Sequence, residues 1–533
     1  MPVYLRSPTA QETLLDWEKA FGPCIRQPHI GSRGGCVGAP FSYERFLEFS
    51  EAGVLKLLTH YRNDAGRDWG DDFLIGGAEQ VEWQLREAVS RSPLRFMHLL
   101  AESWADIPER FTDDILDGAA DYLAYRYGNR QPADNQWRPI EQADPQQLAT
   151  LILDEIERHP PRWRHRRAAA KALEACANVI ESEQDAFRLA FAAIGFIDLQ
   201  ERSYNDDREL IDAGINMIRG NVTEAVMIVA THWAEKQQPF PELLVPTLRR
   251  LARDLHPAIR ALILRRLPYL QSHSPELGWE IFYLALEGDD ERLWQDAEPC
   301  LYYAYHNRFE EVSRVLMRIV STATGKALET WARISALAGL LGRIDLHDFI
   351  PQLQALGSVD AWTGAASVWS HKGNLAQHFD QCIFGISAGL QESGDIASSV
   401  ARKMSSLFGK DLPPTLIPSD IIDKYLSAIE QDQSNNRFHL HGFDEWLNVM
   451  SQCRPDEALA SAERFAVFVR DTKYQLYDLE DISQLMTRLF REAEEREESD
   501  NGVMLRQVIA LQDAFLAIGV NGLQDWLRDA ERP

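Results

Sequence analysis

Apolar residues along this chain recur at the spacing of one face of an α-helix. In the stretch Ala213–Trp233, Val222, Ala225, Val226, Val229 and Trp233 fall at i, i+3, i+4, i+7 and i+11. His256–Leu270 repeats the pattern with Ile259, Leu262, Ile263, Leu267 and Leu270, and Val312, Val315, Leu316 and Ile319 repeat it again. One-sided helices that follow each other this closely bury their stripes against each other. The pattern predicts a stacked helical array. No stretch alternates apolar and polar residues convincingly over the length of a strand.

Start and stop signals divide the chain further. Thr9 and Glu12 have capping-box spacing and predict a helix through Phe21. Gly31, Gly34, Gly35 and Gly38 between Pro23 and Pro40 predict a loop. Helices are then expected over 43–61, 78–89, 93–102 and 112–125. Asp144-Pro145 opens a helix with a side-chain cap followed by proline at its first position. Pro160-Pro161 ends it, and a helix over about 163–180 follows, burying Ala169, Ala172, Leu173, Cys176 and Ile180. His256-Pro-Ala-Ile-Arg260 with its apolar stripe has the look of the second helix of a HEAT-type repeat. The expected architecture is all-α: an irregular HEAT-like α-solenoid over 144–408, preceded by a loop-rich helical region over 1–143. A proline-stiffened linker at 409–418 separates it from a C-terminal helical block over 419–533.

Composition narrows the function classes. A formal charge of −26 disfavours non-specific binding to nucleic acid or an anionic membrane, and suits solubility and a basic protein partner. The six cysteines are scattered, with no CxxC and no histidine at zinc spacing, and read as reduced thiols in a cytoplasmic protein. The N-terminal residues have no apolar signal-peptide core, and no run approaches the ~18 apolar residues of a membrane helix. No metal site and no cofactor site is expected.

Candidate chemistry is sparse. The glycine-rich loop Gly31–Pro40 lacks the lysine and hydroxyl residue that would hold a phosphate and Mg²⁺, and reads as structural. Gly385-Ile-Ser-Ala-Gly389 matches the nucleophile-elbow string, but its flanks read as helix instead of strand and helix. His439 and His441 lie at i, i+2 without companion ligands. The fourteen tryptophans are read as packing between helices. Arg491–Asp500 is a charge run expected at a solvated helix end or loop. Arg162, Trp163, Arg164, Arg166, Arg167 and Lys171 read as the one dense basic patch, with Arg164, Arg167 and Lys171 expected on one helical face. They are the candidate partner contact. Arg219 is expected to bond a carboxylate between helices, and Asn216 a backbone group.

Several local patterns together resemble the C-terminal helical region of large bacterial STAND-like, antiphage-defence P-loop ATPases. They are Gly34-Gly-Cys-Val-Gly-Ala-Pro40, Gly76-Gly77, Pro93-Leu-Arg-Phe96, Ile215-Asn-Met-Ile-Arg-Gly220 and Gly522-Leu-Gln-Asp-Trp-Leu527. In that family nucleotide chemistry sits in a separate N-terminal P-loop module, and this chain has no GxxxxGK[ST]. The resemblance therefore implies a sensor or scaffold half without its own ATPase. Either it is one subunit of a split system or it is a truncated chain. The expected function is protein–protein recognition with no catalysis, the partner being a P-loop NTPase or another defence subunit. Two rival readings are a HEAT-like nucleic-acid binder and an enzyme whose site is assembled from residues distant in sequence.

Overall fold

The computed structural model describes residues 8–21, 37–63, 75–201, 209–288, 290–322, 324–408, 417–430, 440, 442–474, 476 and 479–519. Among the described residues every regular element is helical. β pairing is confined to an isolated parallel bridge between Gly38 and Ile75. The chain forms two compact units, Met1–Val179 and Ile180–Pro533.

The first unit holds α1 (Pro8–Phe21), α2 (Glu44–Glu48), α3 (Glu51–His60), α4 (Ala78–Arg91), α5 (Pro93–Glu102), α6 (Glu109–Tyr127), α7 (Pro145–Arg158), α8 (Pro160–Trp163) and α9 (Arg167–Ala177). The helix expected over 43–61 is two helices. Ser50 interrupts it and accepts a bond from the Gly53 N–H, a serine cap that starts α3. α6 is the centre of this unit, packed against α4, α5, α7 and α9. The sequence boundary at 143/144 falls inside the unit, where the Tyr122 hydroxyl donates to Ala143 O at 3.2 Å. Asp144 accepts from the Gln147 N–H at 2.8 Å and Pro145 takes the first helical position, as the Asp-Pro signal predicts.

The second unit holds α10 (Glu183–Ile197), α11 (Leu210–Ile215), α12 (Ile218–Glu235), α13 (Leu244–Ala252), α14 (Pro257–His273), α15 (Pro275–Ala285), α16 (Leu293–Tyr302), α17 (Phe309–Thr322), α18 (Gly325–Leu340) and α19 (Leu346–Leu356). It continues with α20 (Val359–Trp369), α21 (Lys372–Gln377), α22 (Phe379–Leu390), α23 (Asp395–Met404), α24 (Ser419–Glu430), α25 (Phe443–Cys453), α26 (Pro455–Thr472), α27 (Leu479–Asp500) and α28 (Val503–Ala517). Alternate helices stack: α10 on α12, α12 on α14, α14 on α16, α16 on α18, α18 on α20, and α20 on α22 and α23. The same step continues from α22 through α24 and α26 to α28, with α25 on α27. Stacking of a helix on its next-but-one neighbour thus recurs along the unit, the packing of an irregular HEAT-like α-solenoid.

All the stripe residues named in 222–233, 259–270 and 312–319 are buried. The central helices are nevertheless not one-sided. α12 buries thirteen of its eighteen residues, including Thr223 and Glu224, because α10, α11, α13 and α14 all pack on it. α14 is likewise enclosed by α11, α12, α13, α15 and α16. Close approach is written into glycine where α18 meets α20: a Cβ on Gly364 would lie 2.1 Å from Glu329 O.

Candidate functional site

The residues around the start of α12 and the α13–α14 connection build a cleft of about 750 Å³ in the second unit. Thr247, Leu248 and Leu251 seat α13 in the core, which turns Arg249 and Arg250 outward in its last turn. The chain leaves the helix through Arg253 and Asp254, and His256 then caps α14, its Nδ1 accepting from the Ala258 N–H at 3.2 Å. Pro257 takes the first position of α14. Arg219 enters from the first turn of α12, and Arg292 from the segment before α16. Five arginines therefore line the cleft, against the carboxylates of Asp198, Glu201 and Asp254.

The arginines fall into two kinds. Arg219 is buried, and its Nη1 donates to both carboxylate oxygens of Asp254, at 2.7 and 2.6 Å. Glu201 closes the same site. It accepts from the Ile218 and Arg219 N–H groups at 2.7 and 3.0 Å, placing a negative charge at the start of α12, and lies 3.6 Å from Arg219 Nε. The other four are about half exposed and hold peripheral acids: Arg249 on Glu280, Arg250 on Asp198, Arg253 on Glu287 and Arg292 on Asp290. The Arg249 bond holds the Glu280 carboxyl below its ordinary range, and the Arg292 bond does the same for Asp290. Exposed pairs of this sort contribute only about 0–1 kcal/mol each, so an incoming anion can replace the resident carboxylate at little cost. Leu255 sits among them with 93% of its surface exposed.

The sequence patch at 162–171 lies in the first unit and is largely turned inward. Trp163 is fully buried, and its Nε1 donates to Glu155 at 3.2 Å. Arg162 Nη2 donates to Glu109 O, Thr112 Oγ1 and Asp113 Oδ1 at 2.9, 2.7 and 2.6 Å. Arg166 lies 3.6 Å from Asp113 and 3.7 Å from Glu109. Lys171 is half-buried near Asp117, and burial lowers its pKa. Arg164 and Arg167 remain exposed. The shared helical face is not formed, because the chain turns between α8 and α9 with His165 at a φ of 66°, leaving Arg164 outside the helix. The acids that receive Arg162 and Arg166 are Glu109 and Asp113, at the start of α6.

Other motifs resolve as packing. Gly385 and Gly389 lie within α22, where a Cβ would meet Trp369 and Trp362 respectively, so the elbow string is a helical glycine pair that admits two indoles. Ser387 accepts from Lys424 Nζ at 2.9 Å. Asn216 Nδ2 donates to Asp212 O at 2.8 Å, a backbone contact as expected. Cys176, Cys300 and Cys382 are buried, and burial pushes the Cys382 thiol up to about 12. Among the described residues no cluster of three His, Cys, Asp or Glu side chains is arranged to hold a metal ion. No described helix is long and apolar enough to cross a membrane. Gly31, Gly34, Gly35, His439, His441 and the closing Gly522–Leu527 lie outside the described residues.

The arginine cleft has only a faint trace in the sequence: Arg249, Arg250 and Arg253 fall within five residues. The clue is their position directly before a proline-started helix, where a connection must face solvent. No family model, no curated protein and no solved structure matches the chain.

Proposed function

We propose that this chain is a non-catalytic helical-repeat recognition module, and that the arginine-lined cleft of the second unit docks an acidic segment of a partner protein. The observation that carries the reading is Leu255, almost wholly exposed between arginines whose own ion pairs are weak and solvent-facing. An apolar anchor ringed by exchangeable charges is the anatomy of a protein contact: the leucine supplies buried area, and the charges set orientation and encounter rate. The site runs against the overall charge of −26, so the local field and not the net charge selects the partner.

In this reading the protein acts in the bacterial cytoplasm, and its partner is a P-loop NTPase subunit of an antiphage defence system. That second part rests on the sequence resemblance alone. The test is a photo-crosslinking residue at position 255, expressed in the source cells with and without phage challenge. The expected result is an adduct with an acidic segment of one protein, lost when Arg249, Arg250 and Arg253 are all changed to glutamate. No adduct, or an adduct indifferent to that charge reversal, overturns the docking site. An adduct whose partner lacks a P-loop overturns the defence-NTPase assignment only.

A further inference from the structure

At the corner between α7 and α8 the first unit buries a carboxyl beside an imidazole. Glu155 is 1% exposed, and His159 follows one helical turn later, on the same side of α7. Glu155 Oε1 accepts from Trp163 Nε1 at 3.2 Å and lies 3.9 Å from His159 Nε2, beyond hydrogen-bond reach. His159 Nε2 and Glu155 Oε2 are both shut off from solvent without a hydrogen-bond partner. The His159 ring lies flat on Trp104 from the turn after α5, with centroids 3.8 Å apart and planes 5° apart. Trp104 meets Trp163 edge-on at 5.9 Å. Carboxyl, imidazole and two indoles therefore form one packed cluster, joining the α7–α8 corner to the turn after α5.

Few charges act on this cluster. Arg158, exposed on α7 and 3.7 Å from Glu155 Oε2, acts on both members. On α8, Arg162 lies 5.0 Å from the Trp163 ring, but its Nη2 donates to Glu109 O and Asp113 of α6. Asp117 and Asp121 of α6 pair with Arg86 of α4. On α9, Arg167 is exposed and Lys171 is set against Asp117. On α5, His98 and Glu102 are exposed. Burial therefore dominates. It pushes the Glu155 carboxyl up to about 7, against the Trp163 bond and Arg158, and it pushes His159 down, with Arg158 adding to the effect.

We propose that Glu155 and His159 form a proton-operated latch: one proton held between carboxyl and imidazole keeps the corner closed on Trp104, and loss of that proton releases it. With the carboxyl protonated both members are neutral. A shift of about 1 Å then brings its O–H within hydrogen-bond distance of His159 Nε2 and gives the idle nitrogen a donor. Without the proton, a full carboxylate is left in a dry site with one indole N–H and a guanidinium beyond hydrogen-bond reach, which is costly. The corner opens to hydrate it, and His159 leaves the Trp104 face. The sign follows from the raised carboxyl. Between about pH 4 and 7 the folded chain holds a proton that the unfolded chain has lost, so the closed corner is favoured there and weakens as pH rises through about 7. His159 takes a second proton only on the acid side of its ordinary value, below this window.

The test is NMR of the full chain with isotope-labelled histidine rings, the His159 signal being the one missing from His159→Gln. At about pH 6 that signal is expected upfield, shifted by the ring current of Trp104. It should move toward the ordinary histidine position by about pH 8, with a midpoint near 7. In Glu155→Gln it should stay in place across this range, because an amide does not titrate. Arg158→Gln removes an exposed cation that disfavours the protonated carboxyl, so the midpoint should rise. That variant keeps the fold if Glu155→Gln does not, because Arg158 faces solvent. The proposal is overturned if the parent signal does not move between about pH 6 and 8, if Glu155→Gln moves like the parent, or if Arg158→Gln leaves the midpoint unchanged.

Discussion

Arg219 and Asp254 stand 35 positions apart in sequence and meet as a buried ion pair, with Nη1 at 2.7 and 2.6 Å from the two carboxylate oxygens. The pair ties the first turn of α12 to the entry of α14. Asp254 also accepts from the His256 N–H at 2.8 Å, which fixes the turn that caps α14. Removing Arg219 leaves the Asp254 carboxylate buried without its guanidinium, whereas Arg219 without Asp254 still has Glu201 3.6 Å away. Arg219→Met is therefore expected to cost roughly 3–5 kcal/mol in urea unfolding. Asp254→Asn should cost less, because an amide oxygen still serves the turn. A loss below about 1 kcal/mol for Arg219→Met would show that the pair does not hold the two helices together.

Gly364 is expected to be intolerant of a methyl group. Its missing Cβ would lie 2.1 Å from Glu329 O, a backbone atom with no rotamer to escape into. Gly364→Ala must push α20 away from α18, at a cost of about 1–3 kcal/mol or more. The usual helical gain of alanine over glycine, about 1 kcal/mol, points the other way, so the sign of the measured change in melting temperature decides which effect wins.

In the first unit the basic run separates structural from surface positions. Trp163→Ala should destabilise by about 3–5 kcal/mol, since it empties a fully buried indole site and removes the N–H that Glu155 accepts from. Arg164→Glu should stay within about 0.5 kcal/mol of the parent, because its side chain faces solvent. Thermal melting of the two variants side by side tests the assignment, and equal losses would refute it.

Asp114 supplies a pH dependence. Burial first, then the carboxylates of Glu82 and Asp117, push its pKa up to about 8. The unfolded chain ionises the same group near pH 4, so between about pH 4 and 8 the folded state holds the extra proton. Stability from this group therefore falls as pH rises and is lowest above pH 8. Asp114→Asn removes the dependence. The melting temperature of the variant minus that of the parent should grow from pH 5 to pH 8, and a constant difference would contradict the raised pKa.

The helices of this protein are largely written in local sequence. Asp144-Pro145 and His256-Pro257 mark starts that the structure keeps, since a cap and a proline act within one turn of themselves. The stripes at 222–233, 259–270 and 312–319 all reach the core, because burial at helical spacing is a short-range constraint on the chain. Even Arg219 and Asn216 could be read as structural ahead of their partners.

Tertiary packing decided what the remaining surfaces do. The run at 162–167 is dense in charge, yet α6 lies beside it with Glu109 and Asp113 and draws most of it inward. The arginines of 249–253 look no different in sequence, but they end a helix at an open connection and are joined there by Arg219 and Arg292 from distant segments. Periodicity acts within a few residues and therefore specifies helices. Which charge is cancelled and which polar group is left idle depends on neighbours tens of residues away, and only the packed chain brings those neighbours together.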